Sequence, residues 1–205
     1  MRYSSKWGVY AKQWDRMVIQ RRRGADFESC ARFALLNKDR YVEIQDLTAH
    51  DELGREGEGI PWWMIAALHR RESDTDEEGN PRFDTYLGNG QPLNRKTTIV
   101  PIGRGPFKTF EDGALDAFKV DGLSSVLDWR LEKVLYQCEI FNGTGYNARG
   151  LPSPYIWAGT NIQKSGKYTG DGKWNGRAWD TQPGCAPIIA TIARLDPSVT
   201  FVRET

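Results

Sequence analysis

Glu72 closes the apolar run Ile60-Pro61-Trp62-Trp63-Met64-Ile65-Ala66-Ala67-Leu68-His69-Arg70-Arg71-Glu72-Ser73, and its position gives it more to offer chemically than any other side chain. Proline at a first-turn position opens a predicted helix, and Ile65, Leu68 and Glu72, spaced i, i+3, i+7, share its core-facing stripe. A carboxyl group on such a stripe, at the negative end of the helix dipole, is disfavoured as an anion, so its pKa is expected to rise. It can then pass a proton to a leaving oxygen, the step that general acid cleavage of a glycoside requires. A second group must stabilise positive charge at the anomeric carbon or activate water. Asp84, twelve residues on, is the first choice, with Asp74 and Asp76 as nearer rivals. Aspartates at such positions also serve turns. His69 lies one turn before Glu72 on the same side, placed either to tune the carboxyl group or to be a satisfied core histidine. Arg70 and Arg71 are expected to flank the cleft or face solvent.

The elements that must position these groups follow from periodicity. Trp7, Tyr10, Trp14 and Met17 predict a helix over 5–18, and Phe27, Cys30, Ala34, Tyr41, Ile44 and Leu47 a longer helical region over 26–50, broken by Gly54 to Gly59. After Glu72, Gly88-Asn89-Gly90 between Tyr86-Leu87 and Thr97-Thr98-Ile99-Val100 predicts a hairpin with a β-branched second strand. Thr109 followed by Glu111 and Asp112 reads as the N-cap of a helix burying Ala114, Leu115, Ala117 and Phe118. A further helix starts at Asp128-Trp129, buries Leu131, Val134, Leu135, Cys138 and Phe141, and stops at Asn142-Gly143. Residues 143–183 read as a glycine-rich functional loop region studded with aromatic rings, and a last helix runs from about Cys185 to Leu195 on Ile188, Ile189 and Ile192. The predicted class is α+β, mainly helical: one domain with a small hairpin inserted after the helix that carries Glu72. Its parts are the N-terminal helices (1–58), the Glu72 helix with hairpin and core helices (59–142), the loop region (143–183) and the C-terminal helix (184–197).

At 205 residues the chain suits one well-formed core, and a net charge of +1 exerts no general pull toward nucleic acid or acidic membranes. Arg21-Arg22-Arg23 reads as a solvated local cluster. Three cysteines, Cys30, Cys138 and Cys185, with no CxxC pair, point to neither a disulfide framework nor a zinc site, and Cys30 and Cys138 read as inert core residues. His50 and His69 form no ligand set, so no metal or other cofactor is expected. No stretch approaches the roughly 18 apolar residues of a membrane span, and Met1 to Trp7 lack the apolar run of a signal peptide. The expectation is synthesis in the cytoplasm as a monomer. Eight tryptophans in a chain with 39% hydrophobic content suggest rings that do more than pack, since aromatic faces suit the apolar faces of sugars.

The ending His69-Arg70-Arg71-Glu72-Ser73 with a hairpin next resembles the lysozyme-like superfamily of goose-type lysozymes, lytic transglycosylases and phage endolysins. So do Tyr86-Leu87-Gly88-Asn89-Gly90-Gln91-Pro92-Leu93-Asn94-Arg95, Gly103-Arg104-Gly105-Pro106-Phe107 and Phe141-Asn142-Gly143-Thr144-Gly145-Tyr146, in that order. The likeness spans roughly residues 5–195 and its three longer segments are more specific than the Glu-Ser pair. It implies a lysozyme-like domain that cleaves the β-1,4 bond between N-acetylmuramic acid and N-acetylglucosamine in peptidoglycan, as a bacteriolytic muramidase. Glu72 would match the general acid, and Thr97 or Thr98 would hold the attacking water beside Asp84, although the spacing departs from phage lysozymes that use a Glu, Asp and Thr set. His69, Tyr86, Asn89, Gln91, Asn142, Tyr146, Tyr155 and Trp157 are the candidates for holding the saccharide. A separate factor would deliver the chain to the cell wall, in the periplasm. A lytic transglycosylase, which needs one glutamate and no second carboxylate, is the nearest rival. A chitinase-like glycosidase and a non-catalytic cell-wall glycan-binding protein are the others.

Overall fold

The computed structural model describes residues 4–50, 54, 56–170 and 172–203, with side chains from Trp7 onward; part of the expected Gly54 to Gly59 break lies outside the described residues. In chain order the elements are α1 (Ser4–Asp15), α2 (Gly24–Leu36), α3 (Lys38–Leu47), α4 (Trp62–Glu72), α5 (Phe110–Val120), α6 (Leu131–Asn142), the single turns α7 (Gly145–Ala148) and α8 (Pro154–Trp157), strands β1 (Lys167–Tyr168) and β2 (Trp174–Asn175), and α9 (Cys185–Leu195). Among the described residues the architecture is mainly helical, with one antiparallel two-stranded sheet that pairs Lys167 with Asn175 and Tyr168 with Trp174. No helix among them is long and apolar enough to cross a membrane.

Two compact units arise, one drawn from residues 32–129 and the other from the chain on either side of it. In the 32–129 unit α4 is the central element. Trp62 through His69 and Arg71 are all buried, so this helix is enclosed on every face rather than along the single predicted stripe. Arg71 is correspondingly buried rather than facing solvent. The start of α4 is held by side chains of α3 and the residue after it: Gln45 Oε1 accepts from the Trp62 amide at 2.9 Å, and Thr48 Oγ1 from the Ile60 amide at 2.9 Å. These bonds satisfy donors that a helix start leaves without intrahelical partners. Pro61 occupies the N-cap, where its missing N–H costs nothing.

In the other unit α6 packs against α1, α8 and α9 around Leu131, Val134, Leu135 and Cys138. Cys138 and Cys185, both buried, meet thiol to thiol, and that contact together with burial pushes the Cys138 thiol well above its ordinary pKa. The carbonyl of Val202 accepts from the Leu131 amide at 2.9 Å, and Arg203 donates to Asp15 at 2.7 Å and to Glu132 at 3.1 Å. Gly159 has φ +86, and a Cβ there would lie 2.4 Å from the ring of Phe27, so only glycine lets the chain pass this ring.

Three expectations are corrected. The 26–50 region is two helices, because the Asn37 side chain takes the Phe33 carbonyl at 2.9 Å and α2 ends there. The predicted hairpin after Glu72 is replaced by a single isolated bridge, Thr85 with Pro92, another such bridge, Thr75 with Pro81, lies before it, and Thr97 to Val100 form no strand. The two-stranded sheet lies instead inside the region read as loop. The Asp128-Trp129 helix starts at Leu131, whereas Thr109 caps α5 as expected, its hydroxyl accepting from the Asp112 amide at 3.1 Å. Replacing Thr109 with Ala is expected to lower stability by about 1 kcal/mol, read as a lower urea midpoint at unchanged m-value. An unchanged midpoint would show that the cap is not holding α5.

Candidate functional site

Glu72 is the last residue of α4 and is half-buried. It can only sit there because the chain leaves the helix at once. Ser73 is the extended C-cap, its amide bonded to the His69 carbonyl at 3.0 Å, and its buried hydroxyl lies 3.1 Å from that of Thr85. Gly90, at φ +72, presses so closely that a Cβ would lie 3.2 Å from the carbonyl oxygen of Glu72. The Gly88-Asn89-Gly90 turn therefore covers the end of the helix, which sequence reasoning placed in a hairpin without placing it against Glu72.

His69 anchors this arrangement from below. Its Nε2 lies 3.0 Å from the Arg82 carbonyl and its Nδ1 2.9 Å from the Tyr41 hydroxyl. A carbonyl oxygen only accepts, so Nε2 carries the proton and the neutral ring accepts from Tyr41 through Nδ1. Burial lowers its pKa to about 4, against a smaller upward pull from the Arg82 carbonyl, and the ring is walled by Phe83 and Phe110 at 4.6 and 4.3 Å. The imidazole is thus a satisfied core group, which corrects its expected contact with substrate.

Asp84 is exposed, and its carboxylate receives both Nε, at 2.9 Å, and an Nη of Arg82. That guanidinium holds its pKa below the usual carboxylate range. Asp84 also lines a cavity of about 460 Å³ in this unit, with Arg40, Phe83, Asn94, Lys108 and Glu111. Arg40 lies 3.8 Å over the Phe83 ring and donates to Glu111 at 2.7 Å. Burial is the largest single influence on the Glu111 pKa and raises it, but the bond and charge of Arg40 together with bonds from the Glu111 amide and Thr109 outweigh it, and the net direction is down. Glu72 is not among the lining residues. Asp76 is a turn residue: its carboxylate accepts from the Asn80 amide at 2.7 Å, which lowers its pKa, and Asp74 is exposed beside it.

The threonines and amides of the following loop bond mainly to one another. Thr97 is buried; its hydroxyl donates to the Pro101 carbonyl and accepts from the Arg104 amide at 2.9 Å. Gln91 accepts from the Thr98 amide at 2.7 Å and donates to the Thr98 hydroxyl at 2.9 Å. Asn89 donates to the Ile99 carbonyl at 3.2 Å. Tyr86 is fully buried and donates to Asp116 at 2.9 Å, and Asp116 also takes the Arg104 guanidinium, which lowers its own pKa. These residues build the loop, so the expected saccharide contacts of Tyr86 and the water-holding role of Thr97 give way to internal bonds. Asp116 escaped the sequence reading because nothing local marks a helical aspartate as the partner of Tyr86, thirty residues earlier.

Of the candidates in the other unit, Asn142 is exposed at the end of α6, whereas Tyr146, Tyr155 and Trp157 are buried. Tyr146 packs edge-on against Tyr168 and Trp174 at 5.3 and 5.8 Å, the cluster that supports β1 and β2. Among the described residues no group of three or more His, Cys, Asp and Glu side chains is placed to hold a metal ion. Comparison with known protein families, curated proteins and solved structures finds no match.

His69 generates a measurable pH dependence. Between about 6.5 and about 4 the unfolded chain takes up its proton and the folded chain does not. Stability is therefore expected to fall as pH drops through this window, by up to about 1.4 kcal/mol per pH unit. In His69→Gln the slope of denaturation free energy against pH should flatten there; an identical slope would contradict a buried neutral imidazole.

Proposed function

We propose that the chain is a peptidoglycan glycosidase in which Glu72 is the general acid. The observation that carries this reading is the placement of a half-buried carboxyl group at the C-terminal end of an otherwise enclosed helix, with the Gly88-Asn89-Gly90 turn against its backbone. Carboxyl groups set at an apolar helix end are costly unless used, and this end carries the negative pole of the helix dipole. The sequence resemblance to lysozyme-like proteins supports the substrate class, the β-1,4 bond between N-acetylmuramic acid and N-acetylglucosamine.

A specific observation favours the one-carboxylate variant of this chemistry, a lytic transglycosylase, over the two-carboxylate hydrolase. Asp84 already spends its charge on Arg82 and the Thr97 hydroxyl is used inside its loop, so neither supplies the second group a hydrolase needs. With one glutamate acting in turn as acid and base, the muramic acid's own hydroxyl closes on the anomeric carbon in place of water.

Glu72→Gln is expected to lower lytic activity on purified peptidoglycan by about 10²- to 10⁴-fold. Its thermal unfolding should stay close to that of the parent chain. Retained lysis would contradict the role of Glu72, and glycan binding without turnover by the parent chain would point to a binding protein. Mass spectrometry of the released fragments separates the two enzymes: anhydro-muropeptides and an active Asp84→Asn variant are expected for the transglycosylase, reducing ends and an inactive variant for the hydrolase.

A further inference from the structure

Between Asp84 and Glu111 the chain carries four cations, Arg95, Lys96, Arg104 and Lys108, and no acidic residue. In the middle of this stretch Ile99, Val100 and Ile102 hold three branched apolar side chains in solvent, exposed by 53%, 79% and 69%. Exposed apolar residues scattered singly need no explanation, whereas a contiguous group marks a contact surface. Among the described residues no other large exposed apolar side chains lie so close together in the chain. The backbone beneath them is already bonded. The Asn89 amide donates to the carbonyls of Ile99 and Val100 at 3.2 and 3.4 Å, and the Thr97 hydroxyl donates to that of Pro101. Gln91 accepts from the amides of Thr98 and Ile99 at 2.7 and 3.2 Å, and Pro101 has no N–H to satisfy.

In water such bonds gain only modestly, because solvent would serve the same groups. Away from water every unserved backbone group is costly, so an apolar tip with bonded carbonyls suits surroundings that exclude water. The charge around the tip selects those surroundings. Arg104 is bonded to Asp116, whereas Arg95, Lys96 and Lys108 are exposed and form no ion pair with a described residue. A second copy of the tip would bring these cations against their own counterparts, so charge opposes self-pairing. A bilayer surface with anionic headgroups attracts the cations and receives the apolar side chains beneath them. We infer that residues 98–102 form a membrane-docking tip that enters the headgroup boundary of a bilayer containing anionic phospholipid.

Co-sedimentation of the full chain with vesicles tests this. Vesicles of phosphatidylglycerol and phosphatidylcholine in equal parts should retain the chain, and vesicles of phosphatidylcholine alone should retain it at least about tenfold less. Added salt should weaken the retention. Val100→Asn with Ile102→Asn, at two exposed positions, is expected to weaken partition by at least about tenfold at unchanged thermal unfolding. Arg95→Gln with Lys96→Gln should weaken it by about tenfold as well. Glu72→Gln should partition like the parent chain, which keeps this inference separate from the glycosidase reading. No retention on the anionic vesicles would overturn the proposal, as would retention that either double variant leaves unchanged. Analytical ultracentrifugation without lipid covers the other occupant: a dimer that is lost in the asparagine variant would assign the tip to a second copy and overturn the proposal too.

Discussion

The imidazole of His69, held neutral between the Tyr41 hydroxyl and the Arg82 carbonyl, fixes where α4 ends and where the chain goes next. Two bonds from one ring tie α3, α4 and the returning loop together in the interior of the 32–129 unit. Burial makes that ring expensive to charge, and the same burial makes its two bonds strong, because water cannot compete for them. Glu72, one turn further on, inherits its position from this knot.

The loop beyond Glu72 is built on a different principle. Beside backbone bonds such as those from the Thr97 amide to the Arg104 carbonyl and from the Gly103 amide to the Thr97 carbonyl, side chains satisfy several of its main-chain groups: Gln91 takes the amides of Thr98 and Ile99, Thr97 that of Arg104, and Asn89 the carbonyl of Ile99. The Asp116 carboxylate then ties the loop to α5 through Tyr86 and Arg104. Side-chain bonding of this kind competes with ladder formation, so a β-branched run with a good turn before it ends as an ordered loop.

That competition explains what the sequence revealed and what it hid. Strong local signals were legible: the apolar run from Pro61 to Glu72, the Thr109 cap, the Gly143 stop and the isoleucines of α9 all mark elements found within a few residues of where they were expected. Hidden were the arrangements that depend on partners far along the chain, such as Tyr41 with His69, Cys138 with Cys185, and Arg203 with Asp15 and Glu132. The two-residue strands were also invisible, since Lys167–Tyr168 and Trp174–Asn175 are too short to show alternation. Glu72 stood out in the sequence because a carboxylate on an apolar helix is rare, and the structure puts it at the end of α4. The internal bonds of Asp84, Thr97 and Tyr86 did not stand out, because aspartates, threonines and tyrosines look alike in sequence whether they face a ligand or bond internally.

The most direct measurement is a crystal structure of the Glu72→Gln variant with a peptidoglycan tetrasaccharide. The account expects the side chain at position 72 within about 3 Å of a glycosidic oxygen. A saccharide ordered elsewhere on the protein, with position 72 out of reach of every glycosidic oxygen, would contradict it.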